Sequence, residues 1–486
     1  MSEKLRVFSG LIWSGVEQLG SQGLQFVLGL LLARLLSPKD YGLIAMLMIF
    51  IAISQTFVDS GFSTALLRKN RPTQEDYSTV FWYNLISASV FYLICVLAST
   101  AIADFYNQPE LKLLIIVLGI SILINALGSV IRIVLTKEKK FKYQAISTVI
   151  SVIVSGILSL SFALNGFGVW ALVVLTLSRL SILNICLWWG SNWKPSFTFS
   201  RLSFFDLFGF SWKLLLSSLF DTIFSNINGL VIGKFFSAQS LGFFSRADQF
   251  QKLPSRIIFG IVHKVSFPLL AEHQDDLVSL RAIYKRFYRG VSFIIFPLMG
   301  LLALFSHQLI EIVLLKKWLP AADYLQILCI VGVLYPLDAI NLNILNLMKR
   351  SDLFLKLEIV KQLINVMMIL TCFNWGVLGL VWGSVVVGVI SLFINAIYSN
   401  KLIHFGILDQ FLEIYPIILA TCLMLIFIIL MKLFIASNLA QLIILPTLGL
   451  LVYIFFCWLM RISEIEDLRH LFKTVKYRIQ QKSNRL

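Results

Sequence analysis

Charged side chains are scarce in this sequence. Asp, Glu, Lys and Arg make up only 14% of its 486 residues, whereas about 25% is usual in soluble proteins. The mean hydropathy is +0.86, and runs of Leu, Ile, Val and Phe reach the roughly 20 residues that a transmembrane helix needs. This composition excludes an ordinary soluble protein and predicts an all-α membrane protein with many spans.

Sequence signatures of enzymes and of metal sites are missing as well. There is no GxxxxGK(S/T) phosphate loop, no HExxH motif and no cluster of His and Cys. The six cysteines stand singly in apolar runs, which is typical of small core residues rather than of disulfides or metal ligands. We therefore expect a protein that is not an enzyme, needs no cofactor and does not itself use ATP.

The amino-terminal segment has no cleavage motif of a signal peptide. Lys4 and Arg6 precede an apolar run that contains Glu17 and several glutamines, and no small-residue cleavage site follows it. We expect this run to be retained as a first transmembrane helix.

Hydropathy predicts thirteen clear spans and one that carries several charges, at 241–266. The clear spans are 10–35, 42–67, 78–103, 111–136, 144–165, 167–190, 209–235, 283–310, 323–348, 355–374, 376–399, 413–435 and 439–460.

Lys and Arg are distributed unevenly between alternate loops. If 241–266 is a span, one set of loops holds 28 of these cations and the other set holds 7. Cytoplasmic loops collect Lys and Arg, and without this span the bias disappears because every later loop changes side. We therefore predict about fourteen spans with both termini in the cytoplasm. The net charge of +16 is then a topology signal and not a sign of nucleic-acid binding.

A weak internal repeat predicts two copies of a six-helix unit. ARLLSPKDYG (33–42) aligns with GKFFSAQSLG (233–242), and the turn NGFGVW (165–170) is similar to NWGVLGLVW (374–382). Because six is an even number, the two units would have parallel topology. The predicted domains are an amino-terminal lobe at 1–200, a carboxy-terminal lobe at 201–405, a helix pair at 406–460 and a basic cytoplasmic tail at 461–486.

The charged span 241–266 has a polar face. At 100° per residue, Gln249, Lys252, Arg256 and His263 fall within a sector about 60° wide, and Arg246 precedes them. A cation facing lipid near the bilayer centre costs roughly 2.5–3.5 kcal/mol. We therefore predict that this face lines a water-filled cavity and attracts an anion. Two alternatives stay open: the cations near the cytoplasmic end snorkel to the surface, and Arg246 is a topology anchor.

Other polar residues lie within the predicted spans. Asp59, Asp221 and Glu17 are candidates for taking up a coupling proton or sodium ion, although Asp59 could equally be part of a structural ion pair. Arg179 is a further candidate for substrate binding. Intramembrane asparagines more often join helices than bind ligands. Arg132, Glu358 and Lys361 lie near the predicted cytoplasmic ends of their spans. For these three residues, snorkelling to the membrane surface explains the charge at least as well as a functional role does.

Four stretches resemble a known family. LLARLLSPKDYGLIAM, DSGFSTALLRK, LGFFSRADQFQKLP and NGFGVWAL are similar to sequences of bacterial polysaccharide exporters. These are the Wzx-type flippases of the multidrug/oligosaccharidyl-lipid/polysaccharide superfamily, and the likeness is to the branch of colanic-acid exporters. The motifs are loose, but the likeness extends over nearly the whole chain.

The resemblance implies a fold and a substrate. Members have two six-helix lobes in a V around a central cavity, often with two extra helices. They move undecaprenyl-pyrophosphate-linked oligosaccharides across the inner membrane for O-antigen, exopolysaccharide or capsule synthesis. Membrane lipids, a polysaccharide polymerase and a chain-length regulator are the partners that this implies. A pyrophosphate suits the cationic face that the residues predict.

Three other functions are compatible with a polytopic membrane protein of this composition. A multidrug extruder of the same superfamily would prefer an acidic cavity for cationic drugs, and the identifiable face here is basic. A lipid II flippase would share the spans and the basic groups, and only the resemblance separates it. A membrane-embedded polymerase is expected to have large extramembrane loops, and the predicted non-cytoplasmic loops are all short.

Overall fold

Long apolar runs separated by short polar loops fold into helices. The computed structural model describes residues 20–59, 61–348, 350–435 and 437–465, and no strand occurs in these ranges. By its contacts the chain forms two units, Met1–Ser245 and Arg246–Leu486. The lobe boundaries predicted from the repeat stay a prediction.

In the first unit, the described residues form nine helices and the beginning of a tenth. They are α1 (20–35), α2 (Pro38–Asp59), α3 (Phe62–Arg68), α4 (Gln74–Leu97), α5 (Ser99–Tyr106), α6 (Glu110–Lys137), α7 (Phe141–Leu164), α8 (Trp170–Trp189), α9 (Arg201–Phe235) and α10 (Ala238–Glu272).

In the second unit, the described part of the chain forms the remainder of α10 and seven further helices. They are α11 (Leu277–Leu304), α12 (Ser306–Leu314), α13 (Pro320–Leu347), α14 (Ser351–Cys372), α15 (Gly376–Ile403), α16 (Ile407–Lys432) and α17 (Asn438–Leu459).

The charged segment at 241–266 is part of one continuous helix, α10. Among the described residues, twelve ranges are long and apolar enough to cross a membrane, and α10 is one of them. One of these ranges, Lys356–Ile403, contains α14 from Lys356 onward and all of α15. The span expected at 10–35 is described only from residue 20 onward. The many apolar helices are therefore confirmed, while the count of about fourteen stays a prediction.

The span expected at 42–67 is divided into α2 and α3. Gly61 separates the two helices with a φ of 73°, a left-handed conformation that glycine adopts without steric cost. A Cβ at this position would lie 3.0 Å from the carbonyl oxygen of Ser211 on α9. Gly61 thus brings the chain between α2 and α3 close to α9.

Loops that the charge count assigned to one side come together in the first unit. Lys69 pairs with Asp76 at 3.0 Å and with Asp206 at 3.3 Å, and Lys137 donates to the carbonyl oxygen of Lys69 at 2.6 Å. The hydrogen bond to Asp76 raises the pKa of Lys69 above its ordinary value. From the other set of loops, Lys39 pairs with Glu110 at 2.8 Å.

The second unit has a ladder of ion pairs at the end where its cation-rich loops lie. Lys285 on α11 pairs with Glu413 on α16 at 2.7 Å. One turn later, Arg289 binds both Glu413, at 3.3 Å, and Glu464, at 2.9 Å. At the opposite end of α11, Lys432 donates to the carbonyl oxygen of Leu304 at 2.9 Å. The ladder joins the carboxy-terminal helix pair to the rest of the unit.

The cysteines are free thiols, as the sequence predicted, but not all of them lie in a core. Cys95, Cys329, Cys372 and Cys457 are buried, whereas Cys422 is exposed on α16. The expectation of a core position was therefore wrong for Cys422.

Candidate functional site

A polar cavity of about 540 Å³ lies inside the first unit. Its walls come from α2, α3, α4, α6 and α9 and are rich in hydroxyl and amide groups. Among the described residues that line it, Asp59 is the only carboxylate. The polar lining residues are Gln55, Thr56, Asp59, Thr64, Asn84, Asn125, Ser129, Ser218 and Thr222.

Asp59 is held at the cavity wall by the break between α2 and α3. It is the last residue of α2, and the Ser63 hydroxyl on α3 donates to its carboxylate. One turn earlier, the Thr56 hydroxyl lies 3.1 Å from the Thr222 hydroxyl of α9. The structure thus places one sequence-predicted candidate, Asp59, in a polar cavity.

Asn84 contributes a buried acceptor to the same cavity. Its side chain is fully buried, and its Nδ2 donates to the Ser129 hydroxyl at 3.0 Å. That hydroxyl in turn donates to the carbonyl oxygen of Ala126 at 3.0 Å. Asn84 Oδ1 has no hydrogen-bond partner among the described residues. Because Asp59 is also an acceptor, the cavity suits a ligand that offers donors or positive charge.

The structure does not bring the other candidates of the first unit to this cavity. Asp221 is exposed on α9, although the neighbouring Thr222 lines the cavity. Arg179 on α8 donates to the Gln25 side chain of α1 at 2.7 Å and is not among the lining residues. Glu17 lies outside the described residues.

Lys252 and Arg256 of α10 lie on a different side of the helix from the residues that contact α13. Gln251 and Ser255 are buried, and the Ser255 hydroxyl donates to the carbonyl oxygen of Gly332 on α13 at 3.1 Å. One residue further along in each case, Lys252 is half-buried and Arg256 is exposed.

Two of these polar groups have partners on their own helix. Lys252 pairs with Asp248 at 2.6 Å, an acid that the sequence analysis did not include in the site. Arg246 donates to Gln249 Oε1 at 2.7 Å. The side chain of His263 lies outside the described part of the chain. Three cations and one carboxylate therefore give this stretch a net positive charge.

A partly buried charged cluster in the second unit brings together three of the ionisable residues that lie within predicted spans. Lys361 on α14 lies 3.7 Å from Asp338 Oδ2 of α13 and also pairs with Glu358 of its own helix. Its side chain is only 8% exposed. Snorkelling was thus the wrong interpretation of Lys361, because its ammonium group lies between two carboxylates. Three ionisable groups in two neighbouring apolar spans were the available signal.

Asn341 has the helix-joining role that is typical of intramembrane asparagines. Its Oδ1 accepts from Tyr284 on α11 at 2.7 Å, from Ser399 on α15 at 2.8 Å and from Gln410 on α16 at 2.8 Å. Asn341 is 1% exposed. This network fixes four helices around the cluster of Asp338.

Comparison with known proteins connects these features to a family. Residues 31–323 match the family described as polysaccharide biosynthesis protein. The lipopolysaccharide biosynthesis protein WzxC of Escherichia coli (strain K12) is 26% identical over 366 residues, which are 74% of each chain. The succinoglycan biosynthesis transport protein ExoT of Rhizobium meliloti (strain 1021) is 27% identical over 268 residues, 54% of this chain and 53% of that one.

The fold is also similar to that of a solved membrane protein. The lipid II flippase MurJ, in an inward closed conformation, superposes with a TM-score of 0.77 at 17% identity. The match covers 94% of this chain and 100% of that chain. At such low identity the likeness concerns the fold alone. The comparisons confirm the resemblance that the sequence motifs indicated.

Proposed function

Because the chain belongs to the polysaccharide biosynthesis protein family, we propose that it is a flippase. Its substrate would be an undecaprenyl-pyrophosphate-linked oligosaccharide repeat unit. It would move this unit from the cytoplasmic to the periplasmic side of the bacterial inner membrane. The product serves the synthesis of a surface polysaccharide such as O-antigen, exopolysaccharide or capsule. The succinoglycan relative is named as a transport protein, which supports transport as the activity.

The observation on which this proposal rests is the cationic side of α10. Arg256 is exposed and Lys252 half-buried on a helix that is long and apolar enough to cross a membrane. Cations at membrane depth are costly unless they face water or an anion. A pyrophosphate supplies several acceptor oxygens for charge-assisted hydrogen bonds. We assign the head group of the substrate to Arg246, Gln249, Lys252 and Arg256.

The polar cavity of the first unit supports a separate role for the oligosaccharide. Its volume of about 540 Å³ and its hydroxyl and amide walls suit sugar hydroxyl groups, which are both donors and acceptors. The Asp59 carboxylate is an acceptor that such hydroxyls would meet. Asp59 is also the lining residue that could take up a coupling proton or sodium ion.

The arrangement of loops supports a topology with both termini in the cytoplasm. The loops that pair through Lys69 and through Lys285 belong to the cation-rich set, and such loops remain cytoplasmic. In this topology the cytoplasmic side is available to the enzymes that build the repeat unit. A polymerase and a chain-length regulator would meet the protein on the periplasmic side.

A second candidate function is the transport of lipid II. The fold is similar to that of the lipid II flippase MurJ, with a TM-score of 0.77. Lipid II also has a polyprenyl pyrophosphate, so the cationic side of α10 would suit it equally well.

Complementation tests the two functions against each other. The chain is expressed in a strain that lacks its repeat-unit exporter, and separately in a strain depleted of its lipid II flippase. We expect surface polysaccharide to return in the first strain, together with a fall in the lipid-linked repeat units that accumulate inside. Growth rescue of the second strain alone would favour lipid II. Failure in both strains, with the protein present in the membrane, would overturn the proposal.

A further inference from the structure

The charged cluster of the second unit does not balance its own charge. Asp338 on α13, Glu358 on α14 and Lys361 on α14 are in contact, and their side chains are 21%, 23% and 8% exposed. When all three are ionised, two carboxylates face one ammonium group and the cluster has a net charge of −1. Uncompensated charge inside an apolar helix bundle is costly. One more positive charge is therefore expected at this site.

The position of Lys361 indicates which carboxylate lacks compensation. Its ammonium group is in direct contact with Glu358 and lies 3.7 Å from Asp338 Oδ2. Lys361 therefore neutralises Glu358 more completely than Asp338. The remaining negative charge is concentrated on Asp338.

Asn395 on α15 offers Asp338 one donor and one acceptor. Its Nδ2 donates to Asp338 Oδ1 at 2.6 Å. Its Oδ1 is buried and has no hydrogen-bond partner among the described residues, and the residue is 1% exposed. A buried acceptor without a donor requires an explanation. A proton on Asp338 Oδ2 would provide the missing donor, because a protonated carboxyl group donates through its O–H.

Among the described residues, no further cation lies within ion-pair distance of Asp338 or Glu358. On α11, Tyr284 is a neutral phenol and already donates to Asn341. The His307 ring of α12 pairs with Asp323 at 3.0 Å. Asp323 lies fifteen residues before Asp338 on α13, about 22 Å along the helix axis.

We propose that Asp338 and Asn395 form a proton-binding site. The carboxylate takes one proton from water at Oδ2, and the resulting O–H donates to Asn395 Oδ1 while Asn395 Nδ2 continues to donate to Asp338 Oδ1. The charge of the cluster becomes zero and each polar atom of the pair gains a partner. Asp338 remains 21% exposed, so its carboxyl group is not sealed inside the bundle. We further infer that release and uptake of the proton accompany transport, and this second step rests on the proposed flippase function.

Infrared spectroscopy of the purified full-length chain tests proton binding without any transport assay. In neutral buffer, exposed Asp and Glu side chains are ionised, because their pKa values are about 3.9 and 4.3. We expect the C=O band of a protonated carboxyl group to be present and to disappear in alkaline buffer. Asp338→Asn should remove the band, and Glu358→Gln should leave it. Absence of the band from the wild-type chain, or its loss in Glu358→Gln alone, would overturn the proposal.

Two features keep the test decisive. The amide of Asp338→Asn can make the same two hydrogen bonds to Asn395 as the protonated acid, so the variant should fold. If it does not, the wild-type chain can be prepared with ¹³C-labelled aspartate, and a band that fails to shift would exclude every aspartate. The coupling step is tested by polysaccharide export. We expect Asp338→Asn to reduce export at least tenfold at wild-type abundance, and unchanged export would refute coupling while the infrared result stands by itself.

Discussion

Gly42 of α2 lies against Ala238 of α10 so closely that a Cβ on Gly42 would be 1.7 Å from the Ala238 carbonyl oxygen. Gly242 has the reciprocal relationship with Pro38, whose carbonyl oxygen would be 1.9 Å from an added Cβ. The two glycines are the matched positions of the internal repeat. The repeat therefore marks a crossing at which the beginnings of α2 and α10 approach each other backbone to backbone.

Gly42→Ala and Gly242→Ala should each destabilise the protein. A methyl group at either position must separate two backbones, and overpacking of this kind costs about 1–3 kcal/mol or more. Thermal unfolding of the purified variants, followed by size-exclusion chromatography after heating, measures the effect. Gly290→Ala is the matched control, because a Cβ there meets nothing within 4 Å. Equal unfolding temperatures for Gly42→Ala and Gly290→Ala would contradict the tight crossing.

Accessibility of single cysteines tests the topology. After the native cysteines are replaced, Gln108→Cys should react with a membrane-impermeant thiol reagent in intact cells, and Pro72→Cys should react only after the cells are opened. Position 72 lies in a loop of the cation-rich set, which is expected in the cytoplasm. Position 108 lies close to Glu110, which pairs with Lys39 in the cation-poor set of loops. Labelling of position 72 from outside would reverse the assigned orientation.

Asp59→Asn should reduce polysaccharide export without lowering the amount of protein in the membrane. The substitution removes the only carboxylate among the described residues that line the polar cavity and retains the size of the side chain. Asp221→Asn is the matched control on the neighbouring helix, because Asp221 is exposed and does not line the cavity. Surface polysaccharide per cell, normalised to protein abundance, is the measurement. Normal export by Asp59→Asn would leave Asp59 with a packing role only.

The sequence predicted the many apolar helices, because hydropathy is a property of single segments, while the assignment of loops to the two sides of the membrane stays a prediction. It did not predict that α2 ends at Asp59, because a Gly61 inside an apolar run is compatible with either a continuous or a broken helix. It also did not reveal the contact of Asp338 with Lys361. Helix periodicity shows which residues share a face, but not which face of another helix they meet. The ion pair of Asp248 and Lys252 is of a kind that the sequence does indicate, because oppositely charged residues four apart are neighbours on a helix.

The ion pair between Asp248 and Lys252 leads to a prediction in which substitution of its two members has opposite effects on binding of the head group. If the cations of α10 hold an anionic head group, Lys252→Ala and Arg256→Ala should each weaken export, because a charge-assisted contact is worth about 1.5–3 kcal/mol, or roughly tenfold to a hundredfold in binding. Arg256→Lys should retain part of the activity, since the charge remains while the bidentate geometry is lost. Asp248→Asn should bind the head group at least as tightly as the wild type, because Lys252 loses its competing carboxylate at 2.6 Å.

The affinity of the purified chain for a polyprenyl pyrophosphate, measured together with export, distinguishes tighter binding by Asp248→Asn from weaker binding by Lys252→Ala. Lys112→Ala, at an exposed position, is the control for loss of a positive charge. If the pair only stabilises α10, Asp248→Asn and Lys252→Ala should instead impair the protein equally, with lower unfolding temperatures and unchanged affinity in the fraction that folds. That result would remove Lys252 from the head-group site. Full export by the double variant Lys252→Ala/Arg256→Ala would show that these two cations have no part in substrate handling, because neither could then compensate for loss of the other.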